Sequence, residues 1–229
     1  AMRSGAGLVT VVMQPEHQPA LLARLPEAMF MSADSVALGE AISAADFVVI
    51  GPGLGRGEWG NNLLAQTAKR TAPMLVDADG LYWLKNSDHQ PAARSLFITP
   101  HAGEAASLLS TSTALIEADR IQAAKSLVTT YKCHALLKGP GSVVIAGTNV
   151  HICAHGGPAM ATAGMGDVLS GICAGLLAPL SAAGRFEQVA GAFAQAVALH
   201  SASADLAAEE GSPRSVIATD VIERIPRLL

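Results

Sequence analysis

Apolar residues fall in short, continuous runs at 8–13, 28–31, 47–50, 74–77, 96–99, 135–138, 143–146 and 150–153. Most of these runs lack polar alternation, the pattern of strands covered on both faces. Between them, apolar positions spaced three and four apart predict helices at 35–44, 59–70, 103–109, 116–131, 167–177, 186–210 and 219–227. Alternating strands and helices predict an α/β fold: a three-layer sandwich with a mostly parallel central sheet and helices on both faces. The runs 143–146 and 150–153, joined by Gly147-Thr148-Asn149, predict an antiparallel hairpin at one edge. No repeat or linker interrupts residues 1–229, which read as a single domain.

Composition narrows the picture. Of 229 residues, half are apolar and 15% charged, enough to fill a core and too apolar for a solvating tail. Aromatics make up 4% against 22 glycines, so that core is aliphatic. The net charge is −4 and basic residues are scattered, which leaves no electrostatic basis for binding nucleic acid or an anionic membrane. Three cysteines, widely spaced, make no disulfide framework, and a reducing cytoplasm is the expected location. The amino-terminal stretch AMRSGAGLVTVVM has no pattern of a targeting signal. The charge-free apolar run 168–184 falls short of a bilayer span, contains Pro179, and reads as a buried helix.

In such sheets ligands lie beyond the carboxyl ends of the strands, so the residues after each strand carry the chemistry. After 47–50 comes Gly51-Pro52-Gly53-Leu54-Gly55-Arg56-Gly57, either a tight turn or a backbone cradle for a ligand. After 74–77 comes Ala78-Asp79-Gly80: Asp77 and Asp79 are two carboxylates that could hold a metal or a hydroxyl, Asp79 being expected to cap a helix starting at Leu81. After 96–99 comes Pro100-His101-Ala102-Gly103-Glu104, where Glu104 suits a helix's first turn and His101 is a candidate contact. Lys138 leaves its strand into Gly139-Pro140-Gly141-Ser142, which puts an ammonium and backbone amides where a phosphate could sit.

The stretch from Gly156 to Asp167 is glycine-rich and runs directly into an apolar helix. Free amides at a helix start bind anions. An aspartate there would repel a phosphate, so Asp167 is either a helix cap or a general base that takes a hydroxyl proton beside the phosphoryl group; the loop favours the base. His151, Cys153 and His155 alternate like half a zinc site, but no second ligand cluster follows and none is expected. His200 reads as a packed helix residue.

Taken in order, GPGLG (51–55), VDADGL (76–81), ITPHAGE (98–104), LLKGPGSVV (136–144) and MATAGMGDVLSG (160–171) resemble the ADP/ATP-dependent NAD(P)H-hydrate dehydratases. That family belongs to the ribokinase-like superfamily. The resemblance implies repair of NADH or NADPH hydrated on the nicotinamide ring, the S epimer being dehydrated while ADP becomes AMP and phosphate. It implies that Gly53, His101 and Asp167 contact the hydrated dinucleotide. Lys138, Gly139, Pro140, Gly141, Ser142 and Gly166 would hold the adenine nucleotide, ADP or ATP. Mg²⁺ is implied as the phosphate counter-ion, with Glu104 reaching it through water. A homo-oligomer, a tetramer in size, and an NAD(P)H-hydrate epimerase as functional partner are implied as well.

Two departures accompany the resemblance. Family members begin with a Gly-rich strand–loop–helix segment, so this chain is expected to be incomplete at its amino end. Gly157-Pro158-Ala159 stands where the family commonly has an Asn followed by small residues. Two rival readings remain open. One is a ribokinase-type kinase for a hydroxyethylthiazole or pyridoxal, using the same Asp167. The other is a nucleotide-binding module without turnover.

Overall fold

The computed structural model describes residues 1–69, 71, 73–89, 91 and 95–229. Its strands are β1 (Thr10–Met13), β2 (Met29–Ser32), β3 (Val48–Ile50), β4 (Met74–Val76), β5 (Leu96–Ile98), β6 (His134–Leu137), β7 (Val143–Ala146) and β8 (Asn149–Ile152). The early helices are α1 (Gln18–Arg24), α2 (Leu38–Ala44), α3 (Glu58–Ala68), α4 (Asp79–Asn86) and α5 (Ala102–Leu108). They are followed by α6 (Thr113–Ala118), α7 (Arg120–Tyr131), α8 (Met165–Ala182), α9 (Phe186–Glu210) and α10 (Ala218–Arg224).

Six strands form one sheet in the order β3-β4-β5-β6-β7-β8. The first four are parallel, and β7 and β8 complete the sheet as the expected antiparallel hairpin. The period of two in a strand divides the side chains cleanly between the faces. Met74, Val76, Leu96, Ile98, Ala135, Leu137, Val143 and Ile145 point into a core shared with α3, α4, α5 and α7. Leu75, Phe97, Leu136, Val144 and Ala146 point the other way, against α8 and α9. Helices therefore cover both faces, giving three layers.

The strand pattern did not reveal that β1 and β2 pair with each other, in parallel, as a separate two-stranded sheet. Apolar runs specify strands, and pairing depends on contacts the runs do not encode. The expected helix 116–131 is two helices, because Asp119 adopts an extended φ of −147°, ends α6 and caps α7 by accepting from the Gln122 amide. Helix α1, with Pro19 in its first turn, was missed. Helix α8 continues through Pro179 to Ala182, beyond the expected end. Arg70, the expected end of the 59–70 helix, lies outside the described residues.

Helix α8 is the one described helix long and apolar enough to cross a bilayer. It packs along α9 and buries Leu169, Ile172, Cys173 and Leu177 against the sheet.

On α9, His200 is 4% exposed and its Nε2 has no hydrogen-bond partner. Burial lowers its pKa to about 4, opposed by a hydrogen bond to the Met165 backbone. The native ring stays neutral where the unfolded one, with a value of 6.5, takes up a proton. Stability is thus complete above about pH 6.5 and falls towards pH 4, by about 3 kcal/mol. Urea unfolding of wild type and His200→Gln between pH 7 and 4 checks this: the variant should lack that share of the acid loss.

Candidate active site

The carboxyl ends of β4, β5 and β6 and the amino end of α8 converge on one cluster of charged side chains. Asp77 leaves β4 and is 1% exposed. One of its oxygens, Oδ1, accepts from Lys138 Nζ at 2.8 Å, and the other, Oδ2, accepts from the Ser170 hydroxyl at 2.8 Å. A carboxylate this buried needs such partners, since burial of an unpaired charge is strongly unfavourable. Lys138 also lies 3.9 Å from Glu104 Oε2.

Helix α8 begins at this cluster. Its cap residue is Gly164, at φ +85°, and Asp167 sits in the first turn without capping anything. A methyl group on Gly166 would lie 3.5 Å from Lys138 Nζ and 3.7 Å from Asp77 Oδ2, which ties the helix start to the ion pair. The free amides of that first turn and the Lys138 ammonium thus bracket one small volume. The Asp167 carboxyl is pushed above its ordinary range, first by burial, then by the negative charge of Asp77, with Lys138 pulling the other way. A raised pKa brings a carboxylate nearer to the strength useful in proton transfer.

His101 caps α5. Its Nδ1 accepts from the amides of Gly103 and Glu104, and Glu104 Oε2 accepts from the His101 amide. With Nδ1 accepting, Nε2 carries the hydrogen of the neutral ring; it lies 3.6 Å from Glu104 Oε1, on a side chain that is mostly exposed. His101 is thus both a structural cap and half-open to a ligand. A parallel bridge joins it to Lys138.

The turn after β6 is braced from beneath. Ser142 Oγ donates to the Gly139 carbonyl at 3.1 Å, so that hydroxyl serves the turn itself. Arg120, which sequence reasoning missed, donates to the Leu137 carbonyl at 3.1 Å and pairs with Glu117. A Cβ on Gly139 would strike the Arg120 guanidinium at 2.8 Å. Pro140 and Gly141 form the exposed tip of the turn, Gly141 at φ +62°.

Gly53, at φ +67°, occupies the turn leaving β3 with open space around it. The turn is held by Asp79, which accepts from the Gly55 amide and from Arg56 Nε. This corrects the expectation for Asp79: α4 starts at Asp79 itself, which makes no cap hydrogen bond. Gly51 presses on Asp77; at φ +130°, a Cβ there would lie 1.7 Å from the Asp77 carbonyl oxygen. Gly51→Ala should therefore cost about 3 kcal/mol or more. A denaturant midpoint within error of wild type would refute that close approach.

The loop into α8 is anchored by Asp205 on α9, another residue sequence reasoning missed. Both its oxygens accept from the Gly156 amide, and it lies 3.4 Å from His155 Nδ1. Beside this loop, Met160, Thr162, Asp205 and Ile217 help line a cavity of about 690 Å³.

Known proteins resemble this chain over nearly its whole length. The Carb_kinase family, described as NAD(P)H-hydrate dehydratase, matches residues 1–227. The chain belongs to the NAD(P)H-hydrate dehydratase family. An ADP-dependent (S)-NAD(P)H-hydrate dehydratase of Listeria monocytogenes is 34% identical over 100% of the chain and 79% of its own length. A bifunctional NAD(P)H-hydrate repair enzyme of Escherichia coli is 42% identical over 100% of the chain. The chain spans 43% of that enzyme, less than half its length.

Among solved dehydratases of the family, one from Bacillus subtilis, co-crystallised with ATP and Mg²⁺, superposes with a TM-score of 0.84 and 25% identity. The match covers 100% of this chain and 80% of that one. A hydroxyethylthiazole kinase of Pyrococcus horikoshii, at 16% identity and a TM-score of 0.65, covers 96% of this chain and 87% of its own. It shares the ribokinase-like fold alone, and the kinase reading is not better supported than the dehydratase.

Proposed function

We propose that this chain dehydrates the S epimer of hydrated NADH and NADPH in a reaction that converts ADP to AMP and phosphate. The observation that carries the reading is the meeting of Asp167, the free amides of α8 and the Lys138 ammonium at one point. Such a group suits transfer of a phosphoryl unit to a hydroxyl.

Asp167 takes the proton of the ring hydroxyl as its oxygen attacks the terminal phosphorus. The bond from that phosphorus to AMP breaks, and the helix start and Lys138 offset the charge that develops. The new phosphate then leaves with the electrons of the carbon–oxygen bond, and the ring gives up a proton, which the departing phosphate takes. His101 Nε2 and the Gly53 turn are the proposed contacts of the dinucleotide. The amides of Gly141 and Ser142, with Gly139, Gly166 and the Pro140 tip, are those of the adenine nucleotide; the Gly139 amide itself donates to Ser142 Oγ.

The oxygen donors suit a nucleotide-borne Mg²⁺ better than a protein-caged one. No described group of three acidic, His or Cys side chains is arranged to hold a metal, and Glu104 keeps one oxygen outside its capping bond. Mg²⁺ characteristically keeps waters and sits on phosphates with one or two carboxylates nearby. Bound there, it would shield phosphate charge, with Glu104 holding one of its waters.

The reading extends to a homo-oligomer, supported by the family resemblance; the apolar face of α9 is occupied by α8 and the sheet. An epimerase of the hydrates is the expected functional partner.

The deciding experiment supplies hydrated NADH or NADPH, Mg²⁺ and either ADP or ATP, and follows the reduced-nicotinamide absorbance band. Recovery with ADP supports the reading. Recovery with ATP alone corrects the donor, and none with either rejects the dehydratase.

A further inference from the structure

Of the groups at this site, Asp77 is buried, charged and used by no step above. The lysine and the serine that engage it lie 61 and 93 residues further along the chain. Its carboxylate spans from the β6 lysine to the first turns of α8, leaving neither oxygen free for a ligand. We propose that Asp77 is a positioning residue, which, oriented by Ser170, fixes the Lys138 ammonium against the start of α8 for phosphoryl transfer.

The role rests on the reading that nucleotide binds at this end of the sheet. Geometry favours it in two ways. Glu104 Oε2, the other carboxylate near Lys138, is 3.9 Å away against 2.8 Å for Asp77, so Asp77 decides where the ammonium rests. The side chain of Asp77 is 2% exposed and that of Lys138 21%, so the rigid partner is the aspartate and the lysine keeps an open side for a phosphate.

The charges acting on the Asp167 carboxyl are Asp77 from β4 and Lys138 from β6. Lys138 in turn faces Glu104 from α5, Cys173 from α8 and His200 from α9. Asp77 raises the Asp167 carboxyl and Lys138 lowers it. Removing the two charges should therefore shift the acidic limb of the kcat/KM profile in opposite directions.

The test compares Asp77→Asn, Lys138→Met, the double variant and Ser170→Ala as full chains. In Asp77→Asn, kcat should fall about 10-fold or more, with a smaller change in KM for ADP, and the acidic limb should move to lower pH. In Lys138→Met the limb should move to higher pH. In the Lys138→Met background, Asp77→Asn should cost less than half its factor in wild type. Should Asp77→Asn fail to fold, Ser170→Ala, which keeps both charges and loses only the orienting hydroxyl, should lower kcat several-fold.

Limbs that move together or stay put, equal factors in both backgrounds, or unaltered kcat in Ser170→Ala would each overturn the proposal. Should the wild type be inert on every hydrate and nucleotide pair, the activity reading fails separately. Asp77 is then read in ADP titrations by calorimetry. Asp77→Asn should change Kd at least 3-fold in wild type and not in Lys138→Met, and any other pattern overturns the role.

Discussion

Asp167→Asn should lower turnover of the hydrated dinucleotide by about 10³-fold while ADP still binds. Positioned proton transfer is worth some 10²–10⁴-fold, and an amide of the same shape cannot accept the hydroxyl proton. Binding survives because the free amides of α8 and the Lys138 ammonium are untouched, and one negative charge fewer faces the phosphates. Absorbance recovery together with ADP calorimetry checks both halves. Turnover within a few-fold of wild type would exclude Asp167 as the base. Lost ADP binding would make it a nucleotide ligand instead.

Lys138→Met should weaken ADP binding by about 1–3 kcal/mol. It should also destabilise the fold, by about 3 kcal/mol, because Asp77 is left buried with Ser170 as its remaining side-chain partner. The two losses have different remedies. Adding Asp77→Asn removes the stranded charge and should restore most of the stability, but it returns no cation to the phosphate, so ADP stays weakly bound. Melting and calorimetry on the single and double variants separate the effects. ADP affinity equal to wild type in Lys138→Met would remove this lysine from the nucleotide site.

Residues with local signatures were legible before the structure. The strands of the main sheet lie within a residue or so of the expected runs, because a strand covered on both faces is written as an unbroken apolar stretch; the edge strand β8 differs, with all four residues exposed and a histidine within it. The glycine-rich approach to α8 was legible for a similar reason, since a helix start that binds anions needs small residues beside it. Residues defined by distant partners were not. Asp77 was visible as a carboxylate at a strand end, but nothing local ties it to Lys138 and Ser170. Arg120 looked like an ordinary helix residue until the Gly139 turn came to rest on it. Asp79 was misassigned because an aspartate before a helix is usually a cap; here it holds the neighbouring glycine turn through Gly55 and Arg56. The break at Asp119 was hidden because apolar spacing continues across it.

Helix α8 begins at the charged cluster and then packs along one face of the sheet and α9, so the site has no unit of unfolding of its own. Occupancy is therefore coupled to the cooperative melting of the whole domain. A ligand at 100 times its Kd adds about 2.7 kcal/mol to the native state. For a domain of this size that raises the melting temperature by about 5–10 °C. Thermal melting can thus rank nucleotides and dinucleotides before any turnover is detected.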